Sequence, residues 1–150
     1  MNLPHRIRLQ GPWQVHSPVI HEDEGPEIRD VPLPATWLSL FGEKAGTARF
    51  ERKFNLPTNL RGEDRVFVRL PVETGRIVSC ALNGVSLSEC PEDPRTYEIS
   101  SNLQCFNRLA IEIEWIPGEL PADRGGLWQP VLLEIVSGDG GSGTGIQNWK

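Results

Sequence analysis

The chain has 150 residues, 38% of them hydrophobic, and a formal net charge of −5. This length suits one domain, and folding buries roughly 70% of the surface that the unfolded chain exposes, so neither disulfides nor a metal is required. The 15 glycines and 13 prolines exclude a helical bundle or coiled coil, and the acidic balance argues against nucleic acid or an anionic membrane as the main partner.

In chain order, Met1–Gln10 carries Pro4, His5, Arg6 and Arg8 and lacks an apolar core, which predicts no signal peptide. No apolar run reaches the ~18 residues of a membrane-spanning helix. Cys80, Cys90 and Cys105 are odd in number and widely spaced, so they are expected to be free thiols in a reducing, cytoplasmic setting. Trp37–Phe41 is expected to form one helical turn. From Thr47 to Pro57, Ala48, Phe50, Phe54 and Leu56 share one parity and Arg49, Glu51 and Lys53 the other, which predicts a half-buried strand. Asn59–Asp64 reads as a loop. Val66, Val68 and Leu70 give a second strand face, and Val78, Cys80 and Leu82 a third. Asn83-Gly84 then tolerates the positive φ angles of a tight hairpin, with Val85–Leu87 as the return.

Ser100–Cys105 is expected to form one further turn. Leu109, Ile111, Ile113 and Trp115 alternate with Arg108, Ala110, Glu112 and Glu114 up to the stop at Pro117-Gly118. The last strand is expected from about Leu127 to Val136. Apolar groups on both its faces predict a central or covered position. Many short strands with turn signals between them predict an all-β antiparallel sandwich or barrel. Residues 1–136 are read as the domain and 137–150 as a flexible Gly-rich tail.

Chemistry is sparse. His5, His16 and His21 lack metal-ligand spacing, and no cofactor is expected. His21-Glu22-Asp23-Glu24 has the oxygen ligands to hold Ca²⁺, or it is a solvated loop. There is no Gly-x-Ser-x-Gly elbow and no phosphate loop. Glu112 and Glu114 share one strand face and have no evident opposing carboxylate, so they read as an exposed sheet face. By parity Arg52 points inward between Phe50 and Phe54. It needs either a carboxylate partner or a role in contacting a sugar or protein. Trp13 and Trp37 read as core, and Trp115 as core or sheet edge. Trp128, directly after Gly125-Gly126, reads as an exposed platform or as packing. Trp149 lies beyond the tail and has no readable role.

One ordered series spans about residues 10–136: Gly11-Pro12-Trp13, Val31-Pro32, Trp37, Gly46, Phe50-Glu51-Arg52-Lys53-Phe54, Leu56-Pro57, Val66–Leu70, Leu82-Asn83-Gly84, Tyr97-Glu98-Ile99, Asn107–Ile111, and Arg124-Gly125-Gly126-Leu127-Trp128 leading to Leu133-Glu134. It resembles the N-terminal sugar-binding domain of glycoside hydrolase family 2, the group of β-galactosidases, β-glucuronidases and β-mannosidases. The resemblance implies a jelly roll of the galactose-binding-domain type. It also implies that the two catalytic glutamates belong to a separate barrel, which does not fit within these 150 residues. The chain departs from the family at Ser86–Arg95, acidic and proline-rich where many members have a Gly-rich aromatic loop, at Glu98 in place of Asp, and at Cys105 in place of Gly.

The reading that follows is a non-catalytic module whose partner is a carbohydrate or a carbohydrate-active enzyme. Trp128 would stack on a sugar, and Arg124, Asn83 and Glu89 would contact hydroxyls; for each, a turn or packing role is the competing reading. A structural or protein-interaction jelly roll is the alternative, and an independent glycosidase a remote one.

Overall fold

The computed structural model describes residues 5–21 and 25–137. Eleven strands occur among them: β1 (His5–Arg8), β2 (Gly11–His21), β3 (Gly25–Leu33), β4 (Gly46–Asn55), β5 (Arg65–Arg69), β6 (Arg76–Leu82), β7 (Val85–Ser86), β8 (Glu89–Cys90), β9 (Asp93–Glu98), β10 (Phe106–Trp115) and β11 (Leu132–Val136). They build two antiparallel sheets, one ordered β1-β11-β5-β9-β8 and the other β3-β2-β4-β10-β6-β7. The architecture is the antiparallel β-sandwich that the alternation allowed, of the jelly-roll type that the resemblance implied. One helical turn, α1 (Trp37–Phe41), is capped by Thr36, whose Oγ1 accepts from the Ser39 amide at 3.2 Å. A 3₁₀ turn covers Ser100–Asn102. Among the described residues no helix is long and apolar enough to cross a membrane.

The core lies between the sheets. β10 contributes Leu109, Ile111, Ile113 and Trp115, and it pairs with β4 along its whole length, so that Ile111 faces Phe50 and Ile113 faces Ala48. Each such aliphatic or phenyl side chain, fully buried, stabilises the fold by roughly 1.5–3 kcal/mol. Trp13 and Trp37 are buried, as their contexts suggested, and Trp115 stacks on Trp37 with ring centroids 5.5 Å apart. β11 is central in its sheet, between β1 and β5.

Three local expectations are corrected. The last strand begins at Leu132 rather than near Leu127. Gly125 and Gly126 adopt positive φ and Pro130 has no amide for a ladder, so Leu127–Val131 runs irregularly while still burying Leu127 and Val131. Val78 is 42% exposed instead of facing the core. Ser79 pairs with Glu112 and Ile77 with Ile113, so Val78 is the extra residue of a β-bulge and Ile77 takes the inward place. Among the described residues Arg52 has no carboxylate partner. Its inward stem ends in a guanidinium that donates to the backbone oxygens of Gln10, at 3.1 and 2.7 Å, and of Lys53.

The outer faces carry ordered charge. Glu51, only 8% exposed, sits mid-sheet opposite Ala110 under Arg49 (2.6 Å) and Arg108 (3.1 Å). Burial pushes its pKa up, but the Arg49 hydrogen bond and the charges of Arg49, His16 and Arg108 outweigh burial and hold it below the ordinary value. On the other sheet, the buried Glu134 bridges Arg6 (2.7 Å) and Arg69 (3.0 Å), and Arg69 continues to Asp93 (2.8 Å). Breaking either bridge strands a buried carboxylate, which is why both are expected to matter for stability.

Candidate functional site

The segment Arg124–Trp128 is placed by its two glycines. The Gly125 amide donates to the Glu73 carbonyl at 3.0 Å and the Gly126 amide to Thr74 at 2.8 Å. The Gly125 carbonyl accepts from the Trp37 amide at 3.0 Å. A Cβ on Gly125 would lie 2.9 Å from Trp115 Nε1 and 3.2 Å from Trp37 Cβ, so only glycine fits against the two tryptophans with φ at +94°. This threading delivers Arg124 and Trp128 to the surface together. The Trp128 Nε1 donates to the Val72 carbonyl at 2.7 Å, and the Arg124 guanidinium carbon lies 4.4 Å from the indole centroid. Arg124 is held in turn by Glu73 at 3.2 Å and Asp123 at 2.8 Å. The indole is half-buried, its N–H is engaged, and a guanidinium covers one of its faces.

Next to it opens a cleft of about 390 Å³ between residues 69–72, 93–95 and 129–132. Its polar groups are Arg69, Asp93, Arg95 and Gln129; its apolar ones include Val72, Pro94 and Pro130. Asp93 makes a two-point contact with Arg69, at 3.1 and 2.8 Å, and this hydrogen-bonded cation holds its carboxyl below the ordinary range. The Nε atoms of Arg69 and Arg95 are buried without a hydrogen-bond partner. A few polar groups over a partly apolar wall is the composition of a small-ligand site.

Glu89 stands behind this cleft. Its Oε2 accepts from the Arg95 amide at 2.6 Å and so fixes Arg95 in a left-handed conformation, φ +66°. Its carboxylate serves the β8–β9 turn. Asn83 lies elsewhere. It takes φ +53° in the Asn83-Gly84 hairpin, as expected, and its side chain donates to Asn102 O and Asn107 Oδ1, both at 3.0 Å, while accepting from the Arg108 amide at 2.8 Å. Arg108 and Trp115, which mark the Asn83 and Gly125 positions, are separated along β10 by about 23 Å at the usual strand rise. The structure therefore groups Trp128 with Arg124, brings Glu89 within one residue of the same cleft, and leaves Asn83 out.

The cleft residues Arg69, Asp93, Arg95 and Gln129 were not legible as a site from the sequence. The one available signal was the acidic, proline-rich run Ser86–Arg95, which departs from the family pattern and supplies one wall. Glu112 is tied to Ser79 at 2.7 Å and Glu114 to Arg76 at 2.8 Å, both on the outer sheet face. The Glu22–Glu24 part of the Ca²⁺ candidate, Trp149 and the tail from 138 onward lie outside the described residues.

No protein-family model matches the chain, and no curated protein sequence does. Solved structures do match. FMN-binding β-glucuronidase from Facaelibacterium prausnitzii L2-6 aligns with TM-score 0.67 and 21% identity, over 89% of this chain and 22% of that one. β-Glucuronidase from Ruminococcus gnavus in complex with uronic isofagomine aligns with TM-score 0.68 and 19% identity, over 89% of this chain and 29% of that one. A β-glucuronidase from an uncultured Clostridium sp. aligns with TM-score 0.65 and 17% identity, over 89% and 29%. The chain thus has the fold of a domain-sized portion of these enzymes, in keeping with its resemblance to the jelly roll of glycoside hydrolase family 2, and it spans well under a third of their length.

Proposed function

We propose that this chain is a non-catalytic accessory module of a carbohydrate-processing system, and that it contacts a neutral saccharide at the cleft beside Trp128. The observation that carries the reading is the pairing of an indole with a cleft of hydrogen-bonding groups on a fold shared with β-glucuronidases. The sugar would lie along Val72, Pro94 and Pro130 and against the indole edge, with Arg95 and Gln129 meeting its hydroxyls. Arg124 and Glu89 would act through others, Arg124 by fixing the indole and Glu89 by fixing Arg95.

A non-catalytic role is supported by the state of the carboxylates. A glycosidase general acid needs a raised pKa. Glu51 and Asp93 are both shifted down by arginine partners, and Glu134 is held by two arginines. The net charge of −5 supports a partner other than nucleic acid or an anionic membrane. The three free cysteines are in keeping with a reducing, cytoplasmic setting. The reading takes residues 1–136 as the module and 137–150 as a tail, and the end of β11 at Val136 supports that boundary.

A second reading is docking to a carbohydrate-active enzyme without direct sugar contact. Arg124 over the indole favours it, because one stacking face is already occupied. Calorimetric titration of the full chain with a panel of neutral mono- and disaccharides separates the two. Saturable binding that Trp128→Ala abolishes supports the first. No binding at millimolar sugar, with co-purification of a glycoside hydrolase, supports the second. Release of nitrophenol from aryl glycosides by the purified chain, lost on mutating one of its glutamates, overturns both.

A further inference from the structure

A second candidate site lies near the start of β10. Arg8, Arg52, Lys53 and Arg108 line an open groove of about 680 Å³ together with Asn55 and Phe106, and no carboxylate lines it. This size falls within the roughly 300–1,000 Å³ of small-molecule sites. Elsewhere most of the described arginines are neutralised: Arg6, Arg29, Arg49, Arg65, Arg69, Arg76 and Arg124 each have a carboxylate within ion-pair distance, and Arg61 and Arg95, far apart from one another in the chain, do not. In the groove only Arg108 does, to Glu51. Among the described residues Arg8 and Lys53 are exposed and have no ion pair, and Arg52 bonds only to the backbone oxygens of Gln10 and Lys53, which fix its charge in place. So much unneutralised positive charge in one groove of a chain carrying −5 overall is a field that selects anions.

The groove also presents an aromatic ring. Phe106 is 78% exposed although it begins a core strand. Its backbone is held from the next residue: the buried Asn107 donates to the Gln104 carbonyl and accepts from the Gln104 amide, both at 2.8 Å. An exposed ring flanked by cations suits a ligand with an apolar face and a negative group.

We infer that this groove binds an acidic saccharide, its ring face on Phe106 and its carboxylate met by Arg8, Arg52 and Lys53. The choice of a sugar among anions rests on the carbohydrate reading above; the choice of an anion does not.

The test is calorimetric titration of the full chain with a galacturonate trimer, its methyl ester, poly-glutamate and adenosine monophosphate. The acidic trimer is expected to bind, with affinity that falls as salt shortens the reach of the exposed charges. The ester is expected to bind about tenfold or more weakly, and Arg8→Glu, Lys53→Glu and Phe106→Ala each to weaken the acidic trimer about tenfold, as loss of a charge-assisted or stacking contact does. All three side chains are exposed, so an unchanged melting temperature certifies the fold. The inference is overturned if the acidic trimer does not bind, if the ester binds equally well, if the charge reversals have no effect, or if poly-glutamate or the nucleotide binds more tightly. Neutral-sugar binding lost in Trp128→Ala with no acidic-trimer binding sinks this inference alone. Acidic-trimer binding without any neutral-sugar binding sinks the Trp128 reading and leaves this one standing.

Discussion

Arg124 lies over the indole of Trp128, its guanidinium carbon 4.4 Å from the ring centroid, while the indole N–H is donated to the carbonyl of Val72. The pair closes a relay that begins with the backbone: Glu73 accepts the Gly125 amide on its carbonyl and the Arg124 side chain on its carboxylate. The position of the ring is thus a consequence of how residues 72–74 and 124–128 cross.

Removing the indole N–H separates anchoring from stacking. Trp128→Phe is expected to lower stability by about 1 kcal/mol, the net worth of one hydrogen bond, and to leave the Val72 carbonyl to water. Trp128→Ala is expected to lose saccharide binding as well. Arg124→Ala is expected to leave the melting temperature nearly unchanged, because its ion pairs are exposed. Thermal denaturation followed by circular dichroism, with calorimetry on the same samples, checks all three.

The two glycines are expected to differ in their tolerance of alanine. At Gly125 the new methyl would meet Trp115 Nε1 at 2.9 Å and Trp37 Cβ at 3.2 Å, on top of an unfavourable φ of +94°. Gly125→Ala is expected to cost about 3 kcal/mol or more from strain and overpacking together. At Gly126 the nearest atom is 3.5 Å away and φ is +65°, so backbone strain dominates. Gly126→Ala is expected to cost about 1 kcal/mol. Urea denaturation of the two variants measures the difference.

Acid and alkali act on different groups. Glu51 has burial against it and the Arg49 hydrogen bond for it, with the net shift downward; Asp93 is shifted down first by its hydrogen bonds to Arg69. A depressed folded pKa means that the stabilisation is present above the unfolded value and is lost as pH falls through the folded one, so stability is expected to decline from about pH 5 downward. Cys80 and Tyr97 are both pushed up to about 12 by burial. Their contribution is full below their unfolded pKa values and is lost as pH rises toward 12, first for Cys80 because a free thiol ionises near ~8.5. Unfolding free energy measured across pH is expected to show a plateau near neutrality with these two declines. Glu51→Gln is expected to flatten part of the acid limb.

The thiols are expected to react in order of exposure. Cys105 is exposed, Cys90 partly so and Cys80 buried. Iodoacetamide followed by peptide mass spectrometry is expected to label Cys105 first and Cys80 only on unfolding.

Six of the eleven strands among the described residues, β4–β7, β10 and β11, were readable from period-two alternation and the hairpin signal, whereas β1–β3, β8 and β9 were not. β4 and β10 bury the residues whose parity assigned them to the core except Leu56, which lies just past the end of β4 and is exposed, and Asn83-Gly84 forms its hairpin. Where the reading failed, a non-local feature decided. The bulge that turns Val78 outward depends on how β6 pairs with β10, and the late start of β11 depends on Pro130 and on the Gly125-Gly126 crossing. Arg52 was placed inward by parity, but its charge escapes along a flexible stem to the β1–β2 connection. The cleft was the least legible part. Its walls come from segments about 25 and 35 residues apart, which only the strand order brings together, whereas Trp128 was marked by chemistry visible in one stretch of chain.

The central claim is that a neutral saccharide meets this chain at the cleft beside Trp128. The most direct measurement is a titration of the ¹⁵N-labelled chain with the neutral saccharide panel, following the Trp128 indole N–H and the amides of Val72, Arg95 and Gln129. The account expects saturable shifts centred on these four signals for at least one sugar, and their loss in Trp128→Ala. Saturable shifts centred elsewhere on the sandwich, or none at millimolar sugar, would contradict it.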